Sequence, residues 1–133
     1  MNVEDLVENF ELLGSWEERY RYLIELGRKL SPMPEAEKTE ATKVRGCMSQ
    51  VWLTAQPGAD HRWHFHGDSD AHIVKGLIAL LFMLVSGKTA AEIRAMDVAS
   101  VFARLGLENQ ITANRRNGFY AMVERIRALA AAG

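Results

Sequence analysis

The feature that most constrains this chain is Gly76–Val85, GLIALLFMLV, an unbroken run of ten apolar residues. A membrane span needs about 17–25 such residues, so the run is too short to cross a bilayer. The stretch from Ile73 to Val85 reads as a helix that is apolar nearly all round, and such a helix is stable in water only at the centre of a core. The rest of the chain must therefore wrap it. With 133 residues, of which 48% are hydrophobic, the chain suffices for one ordinary domain, and a single domain over residues 1–133 is expected.

The wrapping elements are mostly helical. Val3, Leu6, Val7, Phe10 and Leu13 form one apolar stripe, with Gly14 as a left-handed stop. Ser15-Trp16-Glu17-Glu18 has the pattern of a capping box. It opens a helix with Trp16, Tyr20, Leu23, Ile24 and Gly27 on one face, ended by Ser31-Pro32-Met33-Pro34. From Ser31 to about Thr42 no periodicity holds, so an extended acidic loop is expected there. Ser69 or Asp70 is the expected cap of the central helix. Thr89–Glu92 is a second capping box, and Asp97 caps a short helix that Gly106 ends. Phe119, Met122, Val123, Ile126 and Leu129 mark the last helix.

Between these helices the period changes to two. Gln50–Ala55 is β-prone, Pro57-Gly58-Ala59-Asp60 reads as a turn, and His61–His66 alternates. Trp63 and Phe65 fall on one face, His64 and His66 on the other. An antiparallel hairpin follows, with room for a short third strand near Lys43–Arg45. A hairpin alone is marginal in water, so helices must cover its apolar face. The fold class is α+β: a small antiparallel sheet of two to three strands packed with helices.

Composition excludes several functions. A formal net charge of −1 argues against a general nucleic-acid binder, which needs an excess of cations. One cysteine cannot form an internal disulfide framework. The acidic start, Met1-Asn2-Val3-Glu4-Asp5, lacks the basic and apolar segments of a signal peptide. A cytoplasmic protein without a membrane partner is therefore expected. Charge is polarised: residues 1–30 carry seven acids and four bases, residues 104–133 two acids and five bases. Solvated helix faces account for most of this; a basic patch at Arg115-Arg116 that meets an acidic partner is the sharper reading.

The candidates for chemistry are few. Cys47 is the only thiol. A free cysteine commonly serves as a small buried hydrophobe, but Gly46 before it permits a sharp turn, and Arg45 is close enough in sequence to favour a thiolate. His64 and His66 share a strand face at a spacing that can chelate a metal. A polar strand face explains them better. A metal- or cluster-binding scaffold would draw on Cys47, His64, His66 and Asp70, yet structural zinc and iron–sulfur sites usually need several thiolates. A thiol hydrolase would use Cys47 with His66 and Asp70. Asn114-Arg115-Arg116-Asn117-Gly118 is a polar helix start that can also serve as a contact surface.

Four blocks, in order and at compatible spacing over nearly the whole chain, carry a resemblance. Arg45-Gly46-Cys47-Met48-Ser49-Gln50-Val51-Trp52 resembles the G-C-x-S-x-V-W signature of SufE-type sulfur acceptors. Gly67–Leu77, GDSDAHIVKGL, resembles the family's S-D-A-x-I-V-x-G-L block. Gly87–Ile93 with Asp97 is similar to the third block, with Ala90 where proline is common. Leu105-Gly106-Leu107 and Arg115–Gly118 are similar to the fourth, with Asn114 in place of its serine. The resemblance covers both the SufE and CsdE branches.

It implies an α+β fold shared with IscU-type scaffolds and the role of a persulfide carrier. The implied partner is a pyridoxal-phosphate cysteine desulfurase of the SufS or CsdA type, with a downstream iron–sulfur scaffold or other acceptor. Cys47 would take the sulfur. Arg45, Gly46, Ser49, Asp70 and Arg115 would support it, and Arg115 with Arg116 would dock the partner. The transfer needs no bound cofactor or metal on this chain, and the free protein would be a monomer or weak homodimer. The apolar flanks Met48, Val51 and Trp52 suit a shelter for the sulfur.

Overall fold

The computed structural model describes residues 3–46 and 49–132. Six helices and three strands run in the order α1 (Val3–Leu12), α2 (Trp16–Arg28), β1 (Val51–Pro57), β2 (Arg62–Ser69), α3 (His72–Val85), β3 (Lys88–Thr89), α4 (Ala90–Ala95), α5 (Val98–Arg104) and α6 (Ala113–Ala132). The fold is α+β, as the sequence pattern requires. The sheet is antiparallel with strand order β1-β2-β3.

The apolar run becomes the centre of the molecule. Eleven of the residues of α3 are buried, from Ile73 to Val85. Helix α2 crosses it at very short range because glycine faces glycine. A β-carbon at Gly27 would lie 2.7 Å from the Gly76 amide nitrogen, and one at Gly76 would drive into the Leu23 carbonyl. No other residue allows two helix backbones so close. Burying Leu23, Leu26 and the adjoining α3 leucines is the main stabilising contribution of this pair. Leu26, rather than the expected Ile24, joins Leu23 and Gly27 on the buried face, since Ile24 is only half-buried.

The hairpin presents its alternating face to the same core. Phe65 stacks on Phe82 of α3 at 5.8 Å, and Val51 and Leu53 are fully buried. The β1–β2 register pairs Val51 with Ser69 and Thr54 with His66. At the turn, Asp60 and His61 both take positive φ, 58° and 61°. The third strand is not Lys43–Arg45. It is Lys88–Thr89, which pairs with Arg62 and Trp63, and Lys43 makes only an isolated bridge opposite Trp52. The chain leaves α3 through Gly87 beside Trp63, so the two residues after it reach the open edge of β2 first.

Three local expectations change in detail. Gly14 follows α1 without positive φ, and helix α1 ends by handing over to the α2 cap. Ser15 Oγ accepts from the Glu18 amide, while the Glu18 carboxylate accepts from the amide of Gly14 rather than of Ser15. Asp70 does not cap α3. That cap is Ala71, which has no side-chain bond. The expectations at Thr89–Glu92, at Asp97 and at Gly106 hold: a full reciprocal box, an Asp97 bond to the Ser100 amide, and φ of +72°.

Candidate functional site

The described residues on either side of the only thiol are drawn together by tertiary contacts. The Val44 amide donates to the Val51 carbonyl at 2.8 Å, and the Leu53 amide donates to the Thr42 carbonyl at 2.9 Å. These bonds zip residues 42–44 against the start of β1. Cys47 and Met48 lie outside the described residues. On the outgoing side, Asp70 Oδ1 accepts from the Gln50 amide at 3.1 Å, and the Asp70 amide donates to the Gln50 carbonyl at 3.3 Å. The carboxylate expected to cap a helix thus ties the end of the loop to the β2–α3 junction.

On the incoming side Gly46 has φ of +90°, where a side chain is strained. A β-carbon there would touch Ala121 of α6 at 3.4 Å. Arg125 of the same helix donates from Nη2 to the Ala41 carbonyl at 2.6 Å. The loop's described flanks therefore lie along α6. Beside them opens a cavity of about 310 Å³ lined by Ser49, Arg115 and Asn114, with Leu77, Phe119 and Met122 among its apolar walls. The start of α6, which lines it, is capped by Thr112, whose Oγ1 accepts from the Arg115 amide. A helix N-terminus together with an arginine favours an anionic group.

The structure brings Ser49 and Arg115 to this one cavity, with Gly46 and Asp70 holding the ends of the loop. It does not bring Arg45 or Arg116 there. Arg45 is exposed and pairs with Glu40 at 3.1 Å, so the expected fold-over onto the sulfur has a competitor at the surface. Arg116 donates to the Glu108 carbonyl at 2.7 Å, directed back along its own loop.

Of the two candidate histidines, His64 is exposed on β2 and His66 is engaged elsewhere. His66 Nδ1 lies 3.1 Å from Glu37 Oε1, which also accepts from Thr54 Oγ1 at 3.1 Å. The His66 hydrogen bond is the main cause that holds the Glu37 carboxyl below its ordinary range. Next to it, burial opposes ionisation of Asp68. Bonds from Lys38 and the Ser69 amide, and the charge of Lys75, outweigh that and keep its pKa low. Since His66 bonds Glu37 and Asp70 bonds Gln50, no His66–Asp70 pair forms. Among the described residues, no three His, Cys, Asp or Glu side chains gather as a metal site.

Glu37, Thr54 and Thr112 were not legible as partners in the sequence. Thr112-Ala113-Asn114-Arg115 has the threonine of a cap but lacks the acidic third residue of a box, and Glu37 sits in a stretch without period.

The family sequence model described as "SufE: Fe-S metabolism associated domain" matches residues 4–130. This chain belongs to the SufE family. Two curated relatives are similar over nearly their whole lengths. An uncharacterized SufE-like protein of Rhizobium meliloti (strain 1021) is 42% identical over 130 residues, 96% of this chain and 93% of the relative. An uncharacterized SufE-like protein of Rhizobium etli is 43% identical over 129 residues, 95% of this chain and 87% of the relative. The solution structure of a hypothetical protein from Thermus thermophilus has a TM-score of 0.78 at 22% identity. It covers 97% of this chain and 93% of that one, and it shares the fold. Membership in the SufE family gives the chain a role in iron–sulfur metabolism. No helix of the described residues is long and apolar enough to cross a membrane.

Proposed function

We propose that this SufE-family chain is a sulfur acceptor and activator for a pyridoxal-phosphate cysteine desulfurase of the SufS or CsdA type, with Cys47 as the acceptor, in the cytoplasm. The observation that carries this reading is the loop. In sequence the one thiol of the chain falls between described flanks that are tied at both ends, and one of those flanks, Ser49, lines a cavity with apolar walls and an arginine. A persulfide carrier needs a mobile nucleophile, a dry resting place and a positive rim for its partner.

The transfer balances without a further reagent. The Cys47 thiolate attacks the outer sulfur of the desulfurase persulfide, and a new sulfur–sulfur bond forms. The bond to the donor cysteine breaks, and that sulfur leaves as a thiolate. The persulfide proton stays on the transferred sulfur or passes to the departing thiolate. The sulfur then moves by the same displacement to a downstream scaffold or acceptor. The pyridoxal phosphate belongs to the desulfurase, and this chain needs only its thiol.

The test is an intact mass measured after mixing the protein with a desulfurase and cysteine. A gain of one sulfur atom, reversed by dithiothreitol, is expected. Cys47→Ser should fold, gain nothing and lose its stimulation of the desulfurase. Stimulation equal to wild type in the serine variant would overturn the reading. Arg115 is the docking residue in this scheme. Arg115→Glu should weaken the complex by about 1–3 kcal/mol if it pairs with a carboxylate in a partly buried interface. Arg116→Glu should cost less, because that guanidinium is already spent on the Glu108 carbonyl.

A further inference from the structure

The first turn of α6 has no burial of its own. Ile111 and Gly118 are buried, and between them no residue is. Such a turn is held by polar ties, or it frays at little cost. Charge works against it as well. Helices α1, α2 and α4 carry acids in their first turn, whereas α6 carries none. Its third and fourth residues are Arg115 and Arg116, and cations are disfavoured at the positive end of a helix dipole. The third place is where a capping box puts its acid, as Glu92 does after Thr89. With Arg115 there, the reciprocal half of the box is lost and the cap falls to Thr112.

Thr112 uses both of its oxygens. Its Oγ1 accepts from the Arg115 amide at 3.2 Å, and its carbonyl accepts from the Arg116 amide at 2.9 Å. The Arg116 side chain reaches back to the Glu108 carbonyl at 2.7 Å and ties the turn to the loop before it. Arg115 is exposed, lines the cavity with Ser49 and Asn114, and has no ion-pair partner among the described residues. The helix thus starts with an uncompensated cation where its own stability calls for an acid, a placement that suits a partner and not the helix.

We propose that Thr112 is a positioning residue for Arg115. By holding the Arg115 amide in the first turn of α6, it keeps the guanidinium at the cavity, where a carboxylate of the partner meets it. The inference rests on the desulfurase as partner and deepens that reading, since it adds the group that fixes the docking cation.

The experiment titrates each variant against a SufS-type desulfurase at low and high salt and records its melting temperature alongside. Thr112 is exposed, so its variants keep the core. Thr112→Ala removes the acceptor and should weaken binding at least about threefold at low salt, the scale of losing one cap at an unburied turn. The deficit should shrink at high salt, where the Arg115 pair is screened. Thr112→Ser keeps the acceptor and should bind as wild type does. In an Arg115→Ala background, Thr112→Ala should cost no further affinity. Ser15→Ala is the control. Ser15 Oγ accepts the Glu18 amide at the same 3.2 Å, so that variant should lose stability and keep its affinity. Wild-type affinity in Thr112→Ala would overturn the proposal. So would a serine variant as weak as the alanine one, or a Thr112→Ala loss that persists in the Arg115→Ala background. Hydrogen exchange of the free protein separates the two readings. The Arg115 amide should exchange faster in Thr112→Ala than in wild type, and equal rates would sink the positioning whatever the partner does. A wild type that neither binds the desulfurase nor accepts sulfur from it would sink the acceptor function instead, and exchange would still read the turn.

Discussion

Helices α2 and α3 and the limb of residues 34–44 are held by opposite means. The helix pair meets backbone to backbone at Gly27 and Gly76, with Leu23, Leu26 and Leu77 buried around the contact. Apart from two backbone bonds at its end, the limb touches the hairpin through side-chain oxygens and nitrogens that keep partial access to water. Burial is insensitive to a proton or a partner, whereas exposed hydrogen bonds are easily exchanged for water. A frame made of the first kind is indifferent to such exchange, and a limb made of the second is not. In this chain the only thiol follows the limb and not the frame.

The comparison is broken most severely inside the frame. Leu81→Ala, at a fully buried position of α3, should cost about 2–5 kcal/mol through lost burial and the cavity left behind. Chemical denaturation followed by circular dichroism would measure it. Gly76→Ala should come next, at about 1–3 kcal/mol, because the added methyl meets the Leu23 carbonyl and not a side chain that can turn away. The same change at Gly14, where nothing lies within 4 Å of the added carbon, should leave the midpoint unmoved.

At the loop itself the effects shrink and change character. Asp70→Ala removes the acceptor for the Gln50 amide. It should lower stability by about 1 kcal/mol and speed alkylation of Cys47, whereas a pure helix cap would move only the melting temperature. In the limb, acidity is the sharpest probe. Glu37 titrates below its ordinary range because His66 binds the carboxylate. Its contribution is complete above the ordinary carboxylate range and is withdrawn as pH falls through the depressed value. Melting curves of wild type and Glu37→Gln should therefore differ at neutral pH and converge in acid, while a Leu81→Ala deficit persists at both. Smallest of all is Arg45→Ala. Its pair with Glu40 is exposed on both sides, and the change should cost less than about 0.5 kcal/mol.

The frame was far more legible than the limb. Apolar spacing marked every long helix, and alternation marked the hairpin with the correct faces, because both periods are local consequences of backbone geometry. Thr89–Glu92 and Asp97 were readable since a cap and its amides lie within one turn. Asp70 looked like another such cap, and its partner proved to be Gln50, twenty positions away. The third strand was missed for a related reason. Two residues, Lys88 and Thr89, carry no period, and only the path of α3 brings them to β2. Glu37 had no local signal at all, since its partners are Thr54 and His66 on a different element.

By itself the sequence determined that a central apolar helix would be wrapped by amphipathic helices and one hairpin, that one thiol was available, and that its flanking blocks resembled the SufE family. Periodicity, caps and short motifs are written within a few residues of each other, so they survive without a structure. Tertiary structure alone decided which carboxylate ties the loop, which arginine reaches the cavity and which turns away, and where the limb is pinned. Those outcomes depend on the angle at which α6 and α3 approach the sheet. That angle is set by the summed packing of the whole core and is encoded at no single position.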